Sequence, residues 1–200
     1  MDVSAIMKTV LSTDSVKNLS AVSGASQKDV KSVLGNALPL LLQGAGEQAS
    51  NKKTASGFAA ALAQHAGDNT KDLSAFLGKV DLNDGAKIIG HLLGGKTDSV
   101  TDEVAQASGV SGNKTAKILA AAAPLLMSLL GQQSGGKKDE IDLGGLAGAV
   151  LSNVDMGSLL GGLLGGGDDA DDKKDDKKDD KKDGGLDLGD VAGLLGSLLK

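Results

Sequence analysis

Ser23-Gly24-Ala25-Ser26, followed by Val33-Leu34 and Ala37-Leu38-Pro39-Leu40-Leu41, recurs as Ser108-Gly109-Val110-Ser111, Ile118-Leu119 and Ala122-Ala123-Pro124-Leu125-Leu126, at a gapless offset of 85 residues. Pro39 and Pro124 are the chain's only prolines. On both sides of each serine-glycine turn, apolar residues recur at spacings of three and four, the period of an amphipathic helix. Each copy therefore reads as helix, tight turn, helix, over residues 15–46 and 100–131. Gly24 and Gly109 supply the residue that accepts positive φ where the first helix stops. Ser26 and Ser111 are placed to cap the second helix, and Asp29 completes an approximate capping box in the first copy, where the second has Lys114. A proline deep in a helix removes one amide donor and crowds the turn before it, so both second helices are expected to kink or restart near Pro39 and Pro124.

Periodicity and turn residues predict helices over residues 2–11, 15–23, 27–48, 55–66, 71–79, 84–93, 98–108 and 112–131. The expected fold is all-α: two pseudo-repeated helix-turn-helix-like units in one multihelical domain, residues 1–135. With Phe58 and Phe76 as the only aromatics, that core must be built from Leu, Ala, Val and Ile. The 200 residues are enough for one sizeable core or two small ones. Cysteine is absent, which excludes disulfides and thiolate metal sites and fits a cytoplasmic location. The N-terminal residues have neither a basic start nor a long apolar stretch, so nothing there reads as a signal peptide. The longest uncharged, mostly apolar run, 118–131, falls short of the ~20 residues a bilayer needs, and no membrane span is expected.

Beyond the predicted domain the composition changes. Residues 136–167 are rich in Gly and Leu, 168–185 form a charged Asp/Lys linker, and 186–200 are a short apolar, amphipathic segment. Residues 1–140 carry 14 lysines against 13 acids, whereas 141–200 carry 7 against 13, so the tail is acidic and the rest nearly neutral. The thrice-repeated Asp-Asp-Lys-Lys of 171–182 would stack like charges on a helix and reads as a solvated linker. It lacks the glycine and closing glutamate of an EF-hand, so calcium is not expected there. Leu143 to Leu164 and Leu186 to Leu199 are studded with glycine, at ~1 kcal/mol each relative to alanine, and need a docking surface to be stable helices. Gly144 with Gly148, Gly157 with Gly161, and Gly161 with Gly165 have the spacing of close helix packing, yet Asn153 and Asp155 interrupt the apolar run.

The repeated Ser-Gly-x-Ser turn, the two prolines followed by leucines, and Ile88-Ile89-Gly90-His91-Leu92-Leu93-Gly94-Gly95 together give a resemblance. Over about residues 15–131 the chain resembles the bacterial domain-of-unknown-function family nine-three-seven, grouped with YidB-like proteins. The resemblance implies an all-helical bacterial protein of two related halves and no particular activity. The Asp/Lys linker and the last Leu/Gly segment lie outside it.

Chemistry-bearing patterns are few. Gly90 to Thr97 satisfies the literal P-loop pattern, but that loop needs a strand before it, and Asp84 to Leu93 reads as a helix. Nucleotide binding there is a remote alternative. His65 ends one helix and His91, flanked by leucines, reads as a partly buried structural residue; neither has a partner at metal-ligand spacing. No serine sits in a Gly-x-Ser-x-Gly context. The expectation is a non-enzyme with no cofactor and no metal.

Two functions of different kinds then compete. The first is protein association, self-association above all, because the Leu/Gly segments are best stabilised against a partner, either a protein or a second copy. The alternative is DNA binding, since helix, glycine turn, helix is the helix-turn-helix plan. In that reading Gln27, Lys28 and Lys31 of the first copy and Asn113, Lys114 and Lys117 of the second would contact nucleic acid. The chain has no arginine, and its near-neutral body has little charge with which to release counterions, so nucleic acid is the disfavoured partner.

Overall fold

The computed structural model describes residues 2–135 and 141–153, and every regular element among them is helical. α1 (Val3–Val10), α2 (Thr13–Ser23), α3 (Gln27–Ser50), α4 (Ala55–Ala66), α5 (Leu73–Leu77) and α6 (Leu82–Leu93) lead through a 3₁₀ turn, Gly94–Lys96, into α7 (Thr97–Ser108), α8 (Gly112–Gln133) and α9 (Leu143–Asn153). The expected all-α architecture is the one observed. Several starts are set by caps that the apolar pattern alone does not reveal. Asp2 accepts from Ala5 N at 2.9 Å, Asp72 from Ala75 N at 3.0 Å and Asp81 from Asn83 N at 2.8 Å. The last bond begins α6 at Leu82, two residues before the expected start.

The two serine-glycine turns have matching geometry. Gly24 (φ 69°, ψ 16°) ends α2 and Gly109 (φ 66°, ψ 25°) ends α7, both left-handed as expected from glycine. Ser26 Oγ accepts from Asp29 N at 3.1 Å, the forward half of a capping box, while the Asp29 carboxylate faces Lys114. Ser111 departs from expectation: its backbone is that of a cap, yet its hydroxyl makes no capping bond. That helix end is exposed, so water serves the orphan amides at little cost. The packing is reciprocal, with α3 lying on α7 as well as α2, and α8 on α2 as well as α7.

Neither proline restarts its helix; α3 and α8 run unbroken through Pro39 and Pro124. α8 is the hub, touching α1, α2, α3, α4, α6 and α7, and every residue from Ile118 to Gly131 is buried. Among the described residues, by length and composition, α8 alone is long and apolar enough to cross a bilayer, but 78% of its most apolar stretch is buried inside the protein. Small residues bring the neighbours close. A Cβ on Gly85 of α6 would run into the backbone carbonyl of Ala120, and one on Gly131 into the carbonyl of Leu62 in α4. A Cβ on Gly44 of α3 would lie 2.5 Å from the carbonyl oxygen of Leu92 in α6. Pro124 has no N–H to give Ala120, four residues earlier, so the carbonyl that Gly85 meets is one its own helix leaves unbonded. The missing side chain allows a Cα–H···O contact to cover it.

α9 lies on α3. Leu146 and Val150, one turn apart, are each 1% exposed, and Val150 Cγ1 sits 3.2 Å from where Gly46 would carry a Cβ. Of the Leu/Gly-rich segment, 136–140 and 154–167 lie outside the described residues, as do the linker 168–185 and the segment 186–200.

Two outcomes follow from this packing. Gly85→Ala should lower stability by roughly 1–3 kcal/mol in urea, because backbone blocks the methyl, whereas Gly90→Ala in the same helix meets open space and should raise it by roughly 0.5–1 kcal/mol. A chain ending at residue 140 should keep its helical circular dichroism but unfold at lower urea and bind more hydrophobic dye, since the α3 face under Leu146 and Val150 is uncovered. An unchanged midpoint would mean that α9 contributes nothing.

Candidate functional site

The six residues proposed for nucleic acid are all exposed and lie at neighbouring helix ends. Gln27, Lys28 and Lys31 occupy the first turns of α3, and Asn113, Lys114 and Lys117 those of α8. The fold brings the two sets together: Lys114 Nζ is 3.9 Å from Asp29 Oδ2. Paired recognition helices in DNA-binding dimers are instead ~34 Å apart, one turn of duplex. Past Lys117, α8 is enclosed by protein from Ile118 onward, so it offers a groove its end and no lengthwise face.

Gly90 to Thr97 forms the end of α6, the 3₁₀ turn and the start of α7, with no strand before it. Lys96, the residue that would reach a phosphate, is 3.1 Å from Glu47 Oε2. Thr97 Oγ1 donates to Gly94 O at 2.9 Å.

The histidines, which lie 26 residues apart in the chain, line one pocket of about 290 Å³ among α3, α4, α6 and α8. Its walls are apolar, formed by Phe58, Ala61, Ile88, Leu92 and Met127. Its polar groups are Gln48, Lys53, Thr54, His65 and His91, with no aspartate or glutamate among the lining residues. His91 corrects the expectation of a partly buried residue, because it is exposed. The buried stripe of α6 runs Gly85, Ile88, Ile89, Leu92 and Leu93, and at about 100° per residue position 91 falls off it despite the leucines that follow.

His65 faces a second feature. Its Nδ1 lies 3.0 Å from Asp68 Oδ2, and Ser128 Oγ donates to the same oxygen at 2.7 Å. Gln132 Nε2 donates to Asp68 O at 2.8 Å, and Thr70 Oγ1 to Gln132 Oε1 at 3.1 Å. A carboxylate only accepts, so His65 Nδ1 carries a proton and Nε2 is left for other partners. Serine, histidine and aspartate meet here in an order unlike a hydrolase triad. The carboxylate stands between the other two, so the imidazole cannot take the serine proton, and Ser128 is fully buried. The network pins the α4–α5 connection to α8. Sequence reading had no access to it, since Asp68 and Ser128 are 60 residues apart and neither belongs to a motif.

Beyond Asp68 lies a wider, acid-lined cleft with Asp72, Asp81 and Asp84 on its walls. Among the described residues no group of three or more His, Cys, Asp or Glu is placed to hold a metal ion.

No curated protein and no solved structure matches the chain. A family model does, that of "Bacterial protein of unknown function (DUF937)", over residues 5–133. The match covers both serine-glycine turns and reaches into α1, ten residues ahead of the start of the stretch 15–131 that carries the resemblance. As it spans more than half of the chain, the protein belongs to the DUF937 family of bacterial proteins of unknown function.

Proposed function

We propose that this protein is a non-catalytic, cytoplasmic helical module that works by protein association, with a second copy of the chain as its favoured partner. The observation that carries the reading is α9. This segment, LGGLAGAVLSN, is too glycine-rich to hold a helix by propensity, yet it is helical where Leu146 and Val150 lie on α3. Residues 186–199 have the same Leu/Gly composition at the far end of a charged linker. A tether of that kind keeps a docking segment at high local concentration near any partner the helical body meets.

The chemistry of the described residues supports a non-enzyme. The serine beside histidine and aspartate is buried and donates to the carboxylate, and the lysine of the P-loop-like stretch is paired with Glu47. Nucleic acid is less favoured than protein, because the six candidate contacts crowd one spot and Asp29 sits among them.

Deleting Leu186 to Lys200 should lower the mass measured by light scattering, with the helical spectrum retained. A full-length chain that is already monomeric, or a deletion that leaves the mass unchanged, contradicts self-association. Duplex DNA binding that weakens steeply with salt and is lost in Lys28→Glu with Lys114→Glu would move the assignment to the DNA-binding alternative.

A further inference from the structure

We propose that the pocket among α3, α4, α6 and α8 binds a medium-chain fatty acid as its carboxylate. The inference does not depend on the association reading. Most of the pocket's wall is apolar and already packed in place: Phe58 is 6% exposed, Ile88 8%, Leu92 1% and Met127 3%. These groups form a lined recess with a fixed floor, and Met127 adds a side chain that adapts to irregular apolar shapes. Ala61 keeps the α4 wall thin, which leaves the recess open.

The charge around it has one sign. Lys53 and His91 are exposed at the mouth, and among the described residues no carboxylate pairs with either. His65 also lies on the wall, but its Nδ1–H is taken by Asp68, so the donors left for an anionic head are those of Lys53 and His91. The acids nearby are turned to other work: Asp68 accepts from Ser128 and from His65, and Glu47 pairs with Lys96. An apolar recess with a cationic mouth selects a molecule with an apolar body and an anionic head. The cavity of about 290 Å³ sits at the small end of ligand pockets, so it encloses a medium chain and leaves much of a long one in water.

Calorimetry on the full chain with octanoate and decanoate tests the assignment, with 1-decanol, decyltrimethylammonium and hexadecanoate as comparisons. Decanoate should bind about tenfold more tightly than either decanol or the cationic amphiphile, and hexadecanoate should gain nothing over it. Lys53→Glu with His91→Glu should weaken decanoate about tenfold and leave decanol unchanged. Gly57→Leu should abolish binding of both, since Gly57 lines the mouth, a Cβ there meets no atom within 4 Å, and leucine strengthens the helix it sits in. Equal affinity for the anionic and cationic amphiphiles, binding untouched by Gly57→Leu, or no decanoate binding would each overturn the proposal. So would displacement of a bound polarity-sensitive dye by an acidic leucine-rich peptide and not by decanoate, which would reassign the pocket to a protein partner.

Discussion

At Ala120 the α8 backbone has a carbonyl that its own helix leaves unbonded, because Pro124 brings no N–H, and Gly85 of α6 closes over it with no side chain between. An unbonded carbonyl in a dry core costs about 1–3 kcal/mol. Here the neighbouring helix covers it at the distance that glycine alone permits. Close approach of a glycine to a backbone carbonyl, without the proline, recurs where Gly131 meets Leu62 and where Gly44 meets Leu92. A core with so little aromatic volume cannot fill the space between helices held at ordinary separation, so the helices themselves must close it. α8 accordingly carries alanines from Ala120 to Ala123, where α6 crosses, and leucines toward its C-terminal half.

The candidate site lies where that close packing lapses. Between the crossing at Gly85 and the one at Gly131, α4 and α6 separate enough to leave the recess over Met127. The Asp68 network closes the neighbouring corner by tying the loop after α4 to Ser128 and Gln132. His65 stands at the junction, with one ring nitrogen in the network and the ring itself on the pocket wall. The apolar pocket is lined by no carboxylate, whereas Asp68, Asp72, Asp81 and Asp84 line the neighbouring cleft together with Lys79 and Lys87.

Much of the fold was legible in the sequence because its signals are local. Helical period and glycine stops placed most of the helix boundaries within a residue or two, and the turns at Gly24 and Gly109 take the left-handed conformation their residue type allows. The departures share one cause, the tertiary neighbour. Pro39 and Pro124 read as a kink or a restart when only the lost bond is considered, and neither helix restarts, because packing carries both through. Gly85 belongs to no sequence motif, yet it is the point of closest approach. His91 was judged by the leucines beside it in the chain, while its position around the helix turned it outward. The pocket and the Asp68 network join residues from distant segments, which no motif or period marks.

Native-state hydrogen exchange across α8, followed residue by residue, tests the central claim that this helix is the enclosed hub of the fold. The amides from Ile118 to Leu130, Pro124 excepted, should exchange only when the whole domain unfolds, and should be the slowest in the chain. Exchange at those amides as fast as in the short, exposed α5 would contradict it.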